Sequence, residues 1–138
     1  MSTEAGLWKW LRDHLPPGHY TRLENSIGTG TPDVNYKVVG GSEGWMELKH
    51  YPDDCGPDAH PFKRKGLRPD QKNWIEERID AGGTVWIVAG VSRSVYVVGG
   101  RYARAFNGWT RAELLKHSSY VLGRGLSGVE FIIQKWLA

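Results

Sequence analysis

The sequence predicts a single α/β domain in which helices flank a mixed sheet. Three observations carry that reading. Two short runs, "PDVNYKVV" (residues 32–39) and "WMELKH" (residues 45–50), alternate apolar and polar with period two and are separated by "GGSEG"; this is the signature of two half-buried strands joined by a hairpin turn. "RPDQKNWIEERIDAGG" (residues 68–83) carries Pro69 and Asp70 at its start and Gly82–Gly83 at its end, the start and stop signals of a helix. "TVWIVAGV" (residues 84–91) is apolar without interruption, as expected of a central strand covered on both faces.

The remaining elements follow in order. "STEAGLWKWLRDHL" places Leu7, Trp8, Leu11 and Leu15 at helical spacing behind a Ser2 or Thr3 cap, and "PPG" stops it. "HYTRLEN" is expected to form a short strand ending near Glu24, followed by the glycine-bearing loop "SIGTGTP". Residues 52–68 are a long polar loop rich in Pro, Asp and Lys. "SVYVVGG" is a further strand and "TRAELLKHS" a short helix, whereas "GVEFIIQKWLA" fits helix or strand equally. The expected order is α-β-β-β-α-β-β-α, one domain over residues 1–138, with no internal repeat and no low-complexity segment.

Composition narrows the function classes. The chain has 138 residues, 40% of them hydrophobic, which suits one folded core. Its single cysteine, Cys55, excludes an internal disulfide and a thiolate zinc cage, and fits a reducing compartment such as cytoplasm. No apolar run is long enough to span a bilayer, and the N-terminus is too polar for a signal peptide, so no membrane partner is expected. The net charge of +3 is mild but unevenly spread. Lys63, Arg64, Lys65 and Arg68 form one basic cluster, and residues 92–138 hold seven Lys/Arg against two Glu. Basic clusters around a carboxylate-bearing stretch point to a polyanionic partner. The seven Trp exceed what a core this small usually needs; they read first as large core and interface fillers, with a place for some at a dimer seam or against DNA as the alternative.

In the two alternating strands Val34, Tyr36, Val38, Met46 and Leu48 face one way; Asp33, Asn35, Lys37, Trp45, Glu47 and Lys49 face the other. The polar row thus carries two carboxylates and an ammonium. Magnesium takes hard oxygen ligands, one or two carboxylates completed by water and substrate oxygens. Asp33 and Glu47 could supply the carboxylates and the Leu48 carbonyl a third oxygen. Lys49 leaves the strand on the same face as Glu47, with Cα atoms about 7 Å apart, within reach of an attacking water or a phosphate oxygen. Convergence depends on the hairpin. Pairing Val39 with Trp45 sets Asp33 opposite Tyr51, about 13 Å from Glu47, whereas a tighter turn sets Asp33 opposite Glu47.

Pro32-Asp33 followed by Glu47-Leu48-Lys49 resembles the signature of the PD-(D/E)XK nuclease superfamily, and the order α-β-β-β-α-β resembles its restriction-endonuclease-like core. Within that superfamily the chain is most similar to the small phage and archaeal resolvase-like branch, including the stand-alone VRR-NUC nucleases. There a Gln opens the helix after the catalytic strand, the place held by Gln71 in "LRPDQKNWI". The resemblance spans residues 20–91. It implies a magnesium- or manganese-dependent endonuclease acting on double-stranded or branched DNA as a homodimer, in the host cytoplasm if phage-encoded. It implies a third acid, Glu4 or Glu24, of which Glu24 is favoured for its closeness in sequence to Asp33. Gln71 would reach the ion's water or the backbone near Lys49. Arg22, Lys63, Arg64, Lys65 and Arg68 are the candidate phosphate contacts, which would position DNA without reading its sequence.

Other chemistries find less support. The five His are scattered without zinc spacing, and His50 falls on the strand face opposite Lys49. "GTGTP" lacks the Gly-Lys-Ser/Thr ending of a phosphate loop and precedes a strand. The alternative function is a DNA-binding module on the same fold with idle carboxylates.

Overall fold

The computed structural model describes residues 3–23 and 29–138. Helix α1 (Glu4–His14) is capped by Thr3, whose Oγ1 accepts from the Gly6 amide at 3.0 Å. Leu7, Trp8 and Leu11 form its buried stripe. Strand β1 (Gly18–Arg22) stops short of the expected end near Glu24, which lies outside the described residues. Strands β2 (Val34–Val38) and β3 (Glu43–Tyr51) form the hairpin, and helix α2 (Pro69–Asp80) leads to β4 (Val85–Val91) and β5 (Ser94–Gly99). A 3-10 turn (Gly100–Tyr102), helices α3 (Ala103–Phe106) and α4 (Arg111–His117), strand β6 (Tyr120–Gly123) and helix α5 (Val129–Trp136) complete the chain.

The six strands lie in sequence order across one sheet. Only β3 and β4 pair in parallel, with Glu47 beside Ile87 and Lys49 beside Ala89; every other neighbour is antiparallel. The parallel step requires a crossover, which α2 supplies. Two apolar cores sandwich the sheet. Leu7 and Leu11 of α1 and Ile133 of α5 cover Val34, Tyr36, Met46, Leu48 and Val88 on one face. On the other face Ile75 of α2, Phe106 of α3 and Leu114 of α4 cover Ile87, Ala89, Val91 and Val98. β4 contributes to both cores, as its unbroken apolar run requires.

The hairpin turn is tighter than the Val39–Trp45 pairing considered above. Val38 N donates to Ser42 O at 2.9 Å, Gly41 N to Val38 O at 3.0 Å, and Gly40 adopts φ +68. β3 therefore starts at Glu43, inside the segment expected to be turn, and Lys37 pairs with Glu43 and Val34 with Met46. "GVEFIIQKWLA" resolves as helix because Val129, Ile133 and Trp136 share one buried face at spacings of four and three. β6 and α3, four residues each, were not foreseen from the sequence. Neither is long enough to show a period. The tryptophans fill the cores: Trp8, Trp109 and Trp136 are buried and the other four are half-buried.

The C-terminal third braces the polar loop, residues 52–68. Asn107 clamps Leu67 by a pair of bonds: Leu67 N donates to Asn107 Oδ1 at 2.7 Å and Asn107 Nδ2 to Leu67 O at 2.9 Å. Arg111 Nη1 donates to Asp54 Oδ1 at 2.7 Å and to Cys55 O at 2.6 Å, and its amide to Ala59 O at 2.8 Å. Phe62 is buried and stacks on Phe106 with centroids 4.9 Å apart.

The glycine loop is held at the start of α2. Gly30 adopts φ +72, and a Cβ there would fall 2.2 Å from Asp70 O and 2.9 Å from Gln71 N. Gly30→Ala thus meets both left-handed backbone strain and a backbone clash, and is expected to cost about 2–4 kcal/mol. Urea denaturation checks this; a midpoint unchanged from wild type would show that the loop does not pack there.

Candidate active site

The observed register brings the carboxylates together. One residue beyond the Val34–Met46 pair, Asp33 faces Glu47, and directly opposed residues have Cβ atoms about 4.5–5.5 Å apart. β2 has ended at this point, and Asp33 Oδ2 accepts from the Leu48 amide at 2.8 Å. The N–H and C=O of one strand residue point to the same edge. The Leu48 carbonyl therefore faces the edge that β2 has vacated, beside Asp33.

Glu47 is 2% exposed. Its Oε2 accepts from Gln71 Nε2 at 2.9 Å and lies 3.4 Å from Lys49 Nζ. Its Oε1 is buried and has no hydrogen-bond donor among the described residues. Lys49, with 12% of its side chain exposed, also donates to Gln71 Oε1 at 3.2 Å. An ammonium has three donors, and these two partners use two of them. Gln71 is 5% exposed, and Gln71 Oε1 accepts from the Arg68 amide at 3.0 Å as well. That bond ties the side chain to the first turn of its own helix. Its amide orientation follows from these partners, since the oxygen takes two donors and the nitrogen meets a carboxylate. Gln71 thus contacts the Glu47 and Lys49 side chains, in place of the backbone near Lys49.

Burial shifts all three acids the same way. Burial, followed by the Asp33 charge, pushes Glu47 up to about 8, although Lys49 opposes this. Burial raises Asp33 too, against the Leu48 hydrogen bond, the Lys49 charge and the neighbouring Glu47. Glu4, at the start of α1, is raised by burial and then by Asp33, and is offset by Lys49 and Arg22. Glu4 thus acts on Glu47 and is acted on by Asp33, and Arg22 acts on Asp33 and Glu4. Of the two candidates for a third acid, Glu4 borders the site, and Glu24 lies outside the described residues.

The donor set fits a hard divalent cation. Among the described residues no three His, Cys, Asp or Glu side chains cluster closely enough to hold an ion by themselves, so Glu4 borders the carboxylate pair without completing a three-ligand cluster. Magnesium requires only one or two carboxylates, with water and substrate filling its shell. Asp33 and Glu47 supply two, the Leu48 carbonyl faces the same edge, and Glu47 Oε1 is a buried acceptor without a donor.

The basic candidates divide. Lys63, Arg64 and Lys65 are exposed and border a cleft with Tyr51 and Pro52, at the end of β3 just past Lys49. Arg68 is engaged, its Nε donating to Asp70 Oδ1 at 3.1 Å. The basic C-terminal third does not form a free flank as a whole: Arg104 pairs with Glu76, and Arg111 with Asp54. The cleft-lining residues Tyr51 and His60, and the loop clamps Asn107 and Arg111, were missed by sequence reasoning. No spacing rule marks residues that meet only through the fold. No family model matches the chain, and neither does any curated protein. Among the described residues no helix is long and apolar enough to cross a membrane.

The raised Glu47 value fixes a pH dependence. Between about pH 4.5 and 8 the folded chain keeps a proton that an ordinary carboxyl in the unfolded chain has released. This group's contribution to stability is therefore full at lower pH, falls as pH rises through that window, and levels off above it. Glu47→Gln removes the titration. In chelator the variant should melt close to wild type at pH 5 and several degrees above it at pH 8.5. Thermal unfolding at the two pH values decides it, and a constant difference would contradict the buried-acid account.

Proposed function

We propose that the chain is a divalent-metal-dependent DNA endonuclease of the PD-(D/E)XK type, built on a restriction-endonuclease-like core. The observation that carries this reading is the convergence of Asp33 and Glu47 at the vacated edge of β3, with Lys49 bonded into the same network. The element order α1-β1-β2-β3-α2-β4 supports the fold assignment. A pure DNA binder gains nothing from buried carboxylates aimed at phosphate, because whenever they ionise without a cation they repel it.

Asp33 and Glu47 would hold magnesium or manganese, with the Leu48 carbonyl alongside. When bound, the ion supplies a more acidic water and positive charge beside a phosphate oxygen. The chain's own residues do the rest. Lys49 directs its remaining N–H at the attacking water or the phosphate, which orients the nucleophile and offsets developing negative charge. Gln71 holds Glu47 Oε2 and Lys49 Nζ at fixed positions, and Glu4 and Arg22 border the site. Water oxygen attacks phosphorus, a P–O bond of the backbone breaks, and the departing oxygen takes up a proton. Lys63, Arg64 and Lys65 bind flanking phosphates. The proposed substrate is double-stranded or branched DNA, cut structure-selectively by a homodimer in the manner of a junction resolvase or a phage DNA-processing nuclease.

Nicking of supercoiled plasmid with and without magnesium tests the proposal. Wild type should cut only with the ion, and chelator should stop it. Asp33→Asn, Glu47→Gln and Lys49→Ala should each lower the rate by about a hundred-fold or more, with DNA affinity of Lys49→Ala within a few-fold of wild type. DNA binding without cutting under any divalent ion would instead support a non-catalytic module. Gln71→Ala should slow cutting by about ten- to a hundred-fold, the scale seen when partners of metal ligands are removed, and move the pH–rate profile. A Gln71→Ala enzyme with the wild-type rate and profile would remove Gln71 from the machinery.

A further inference from the structure

The loop that carries the basic triplet encloses a cleft of about 390 Å³ at the end of β3. His50, Tyr51 and Pro52 line it from the strand side, and His60 and Pro61 from the loop side. Strand periodicity puts Tyr51 on the same face as Glu47 and Lys49, with its Cα about 7 Å beyond that of Lys49. The recess therefore opens at the end of the strand that carries the proposed catalytic ammonium, with Tyr51 on its face and His50 on the other. Its volume falls within the range of small-molecule sites, about 300–1,000 Å³.

The chemistry of the lining is specific. Tyr51 and His60 offer flat aromatic rings beside two prolines, and exposed Lys63, Arg64 and Lys65 stand around them. Among the described residues none of these three cations is engaged in an ion pair. The surfaces are also held in place. Tyr51 packs against the core on the α2 face, and the His60 ring is fixed by a 3.0 Å contact between Nδ1 and Gly108 O. The triplet is braced on both sides by buried Phe62 and by Leu67 in its Asn107 clamp. Rings for stacking with cations for the backbone are how proteins hold unpaired nucleotides. A continuous duplex keeps its bases stacked inside and can present only backbone to such a recess.

We infer that this cleft receives one unpaired nucleotide next to the scissile phosphate, so that the preferred substrate is DNA carrying a flap or branch at the cut site. The inference rests on the endonuclease reading for the position of the cut, but the nucleotide site itself does not depend on hydrolysis.

The test is therefore a binding measurement in chelator, with Asp33→Asn protein to prevent cutting. Fluorescence anisotropy compares a labelled duplex with the same duplex bearing a single-nucleotide flap, and 2-aminopurine at the flap reports stacking. The flap DNA should bind about ten-fold more tightly, the scale of one base stacked on an aromatic ring, and the 2-aminopurine signal should fall on binding. Adding Tyr51→Leu should remove both effects. The exposed pair Lys63→Ala/Lys65→Ala, which leaves the core untouched, should weaken flap DNA more than duplex. Equal affinity for the two DNAs, or equal weakening by the lysine pair, overturns the cleft assignment. Wild-type cutting with no flap preference would leave the endonuclease reading standing and remove this one. A flap preference in a protein that never cuts would do the reverse.

Discussion

The bond from the Leu48 amide to Asp33 Oδ2 stands where the next rung of the β2–β3 ladder would be. β3 runs on past β2, and an unpaired amide in so buried a place is costly. Asp33 meets that need with its side chain. The same bond fixes the Asp33 carboxyl opposite Glu47 and turns the Leu48 carbonyl toward the vacated edge. All of this depends on the hairpin register, which the Val38–Ser42 closure sets. A slip of one residue would turn every side chain of one strand to the other face, carrying the acids into the α1 core and the valines out of it. Tyr36, Val38 and Met46 therefore hold the site in register by being apolar.

Around that register the molecule accumulates electrostatic cost. Glu4, Asp33 and Glu47 all titrate above their ordinary values, chiefly because burial disfavours their charged forms. A chain optimised for stability would replace one of them by an apolar or amide group. Instead α2 delivers a buried Gln71 whose amide is spent on this carboxylate and this ammonium. Gly30, pressed against the first turn of α2, fixes where that helix begins and hence where Gln71 stands. Buried, mutually perturbed acids beside a cation are more often a working site than a structural accident. That asymmetry underlies the endonuclease reading.

Much of this was legible in the sequence, and the limits have physical causes. Period-two alternation located β2 and β3 and put Asp33, Glu47 and Lys49 on one face, since a strand side chain's direction depends only on parity. Parity does not give register, which is why the separation of Asp33 and Glu47 stayed open until Gly40 and the Val38–Ser42 bond closed the turn. Capping chemistry located α2 to within a few residues, but which groups Gln71 would bond depends on how the crossover seats the helix on the sheet. The tryptophan surplus was legible as core filling, but which segments each ring would join is decided by packing. Trp45 and Trp74 meet edge to face, and Trp109 stacks on His117, contacts that join distant segments. The four-residue β6 and α3 fall below the length at which any period can be read.

The last third of the chain looks, from its charge, like a polyanion-binding flank. Some of its bonds serve a further task. Arg111 and Asn107 spend their donors on residues 54–67, and Phe106 stacks on Phe62. A loop of this length without regular structure is expensive to order and is usually functional when a compact domain keeps it. Here the ordering is done in advance by side chains from a segment that does not approach Asp33 or Glu47 in the sheet order. What the bracing leaves exposed is the short arch of Lys63, Arg64 and Lys65 beside the end of β3. The acids and the arch are complementary. Once ionised, buried carboxylates repel a phosphate chain unless a cation offsets them, and a pre-set row of cations alongside attracts that chain to the same place. A flexible basic tail could supply the attraction, but it would not hold a strand at a fixed distance from Lys49. Positional accuracy is what a rigid arch adds, and it gives a physical reason for a domain of 138 residues to devote α3 and α4 to holding a loop.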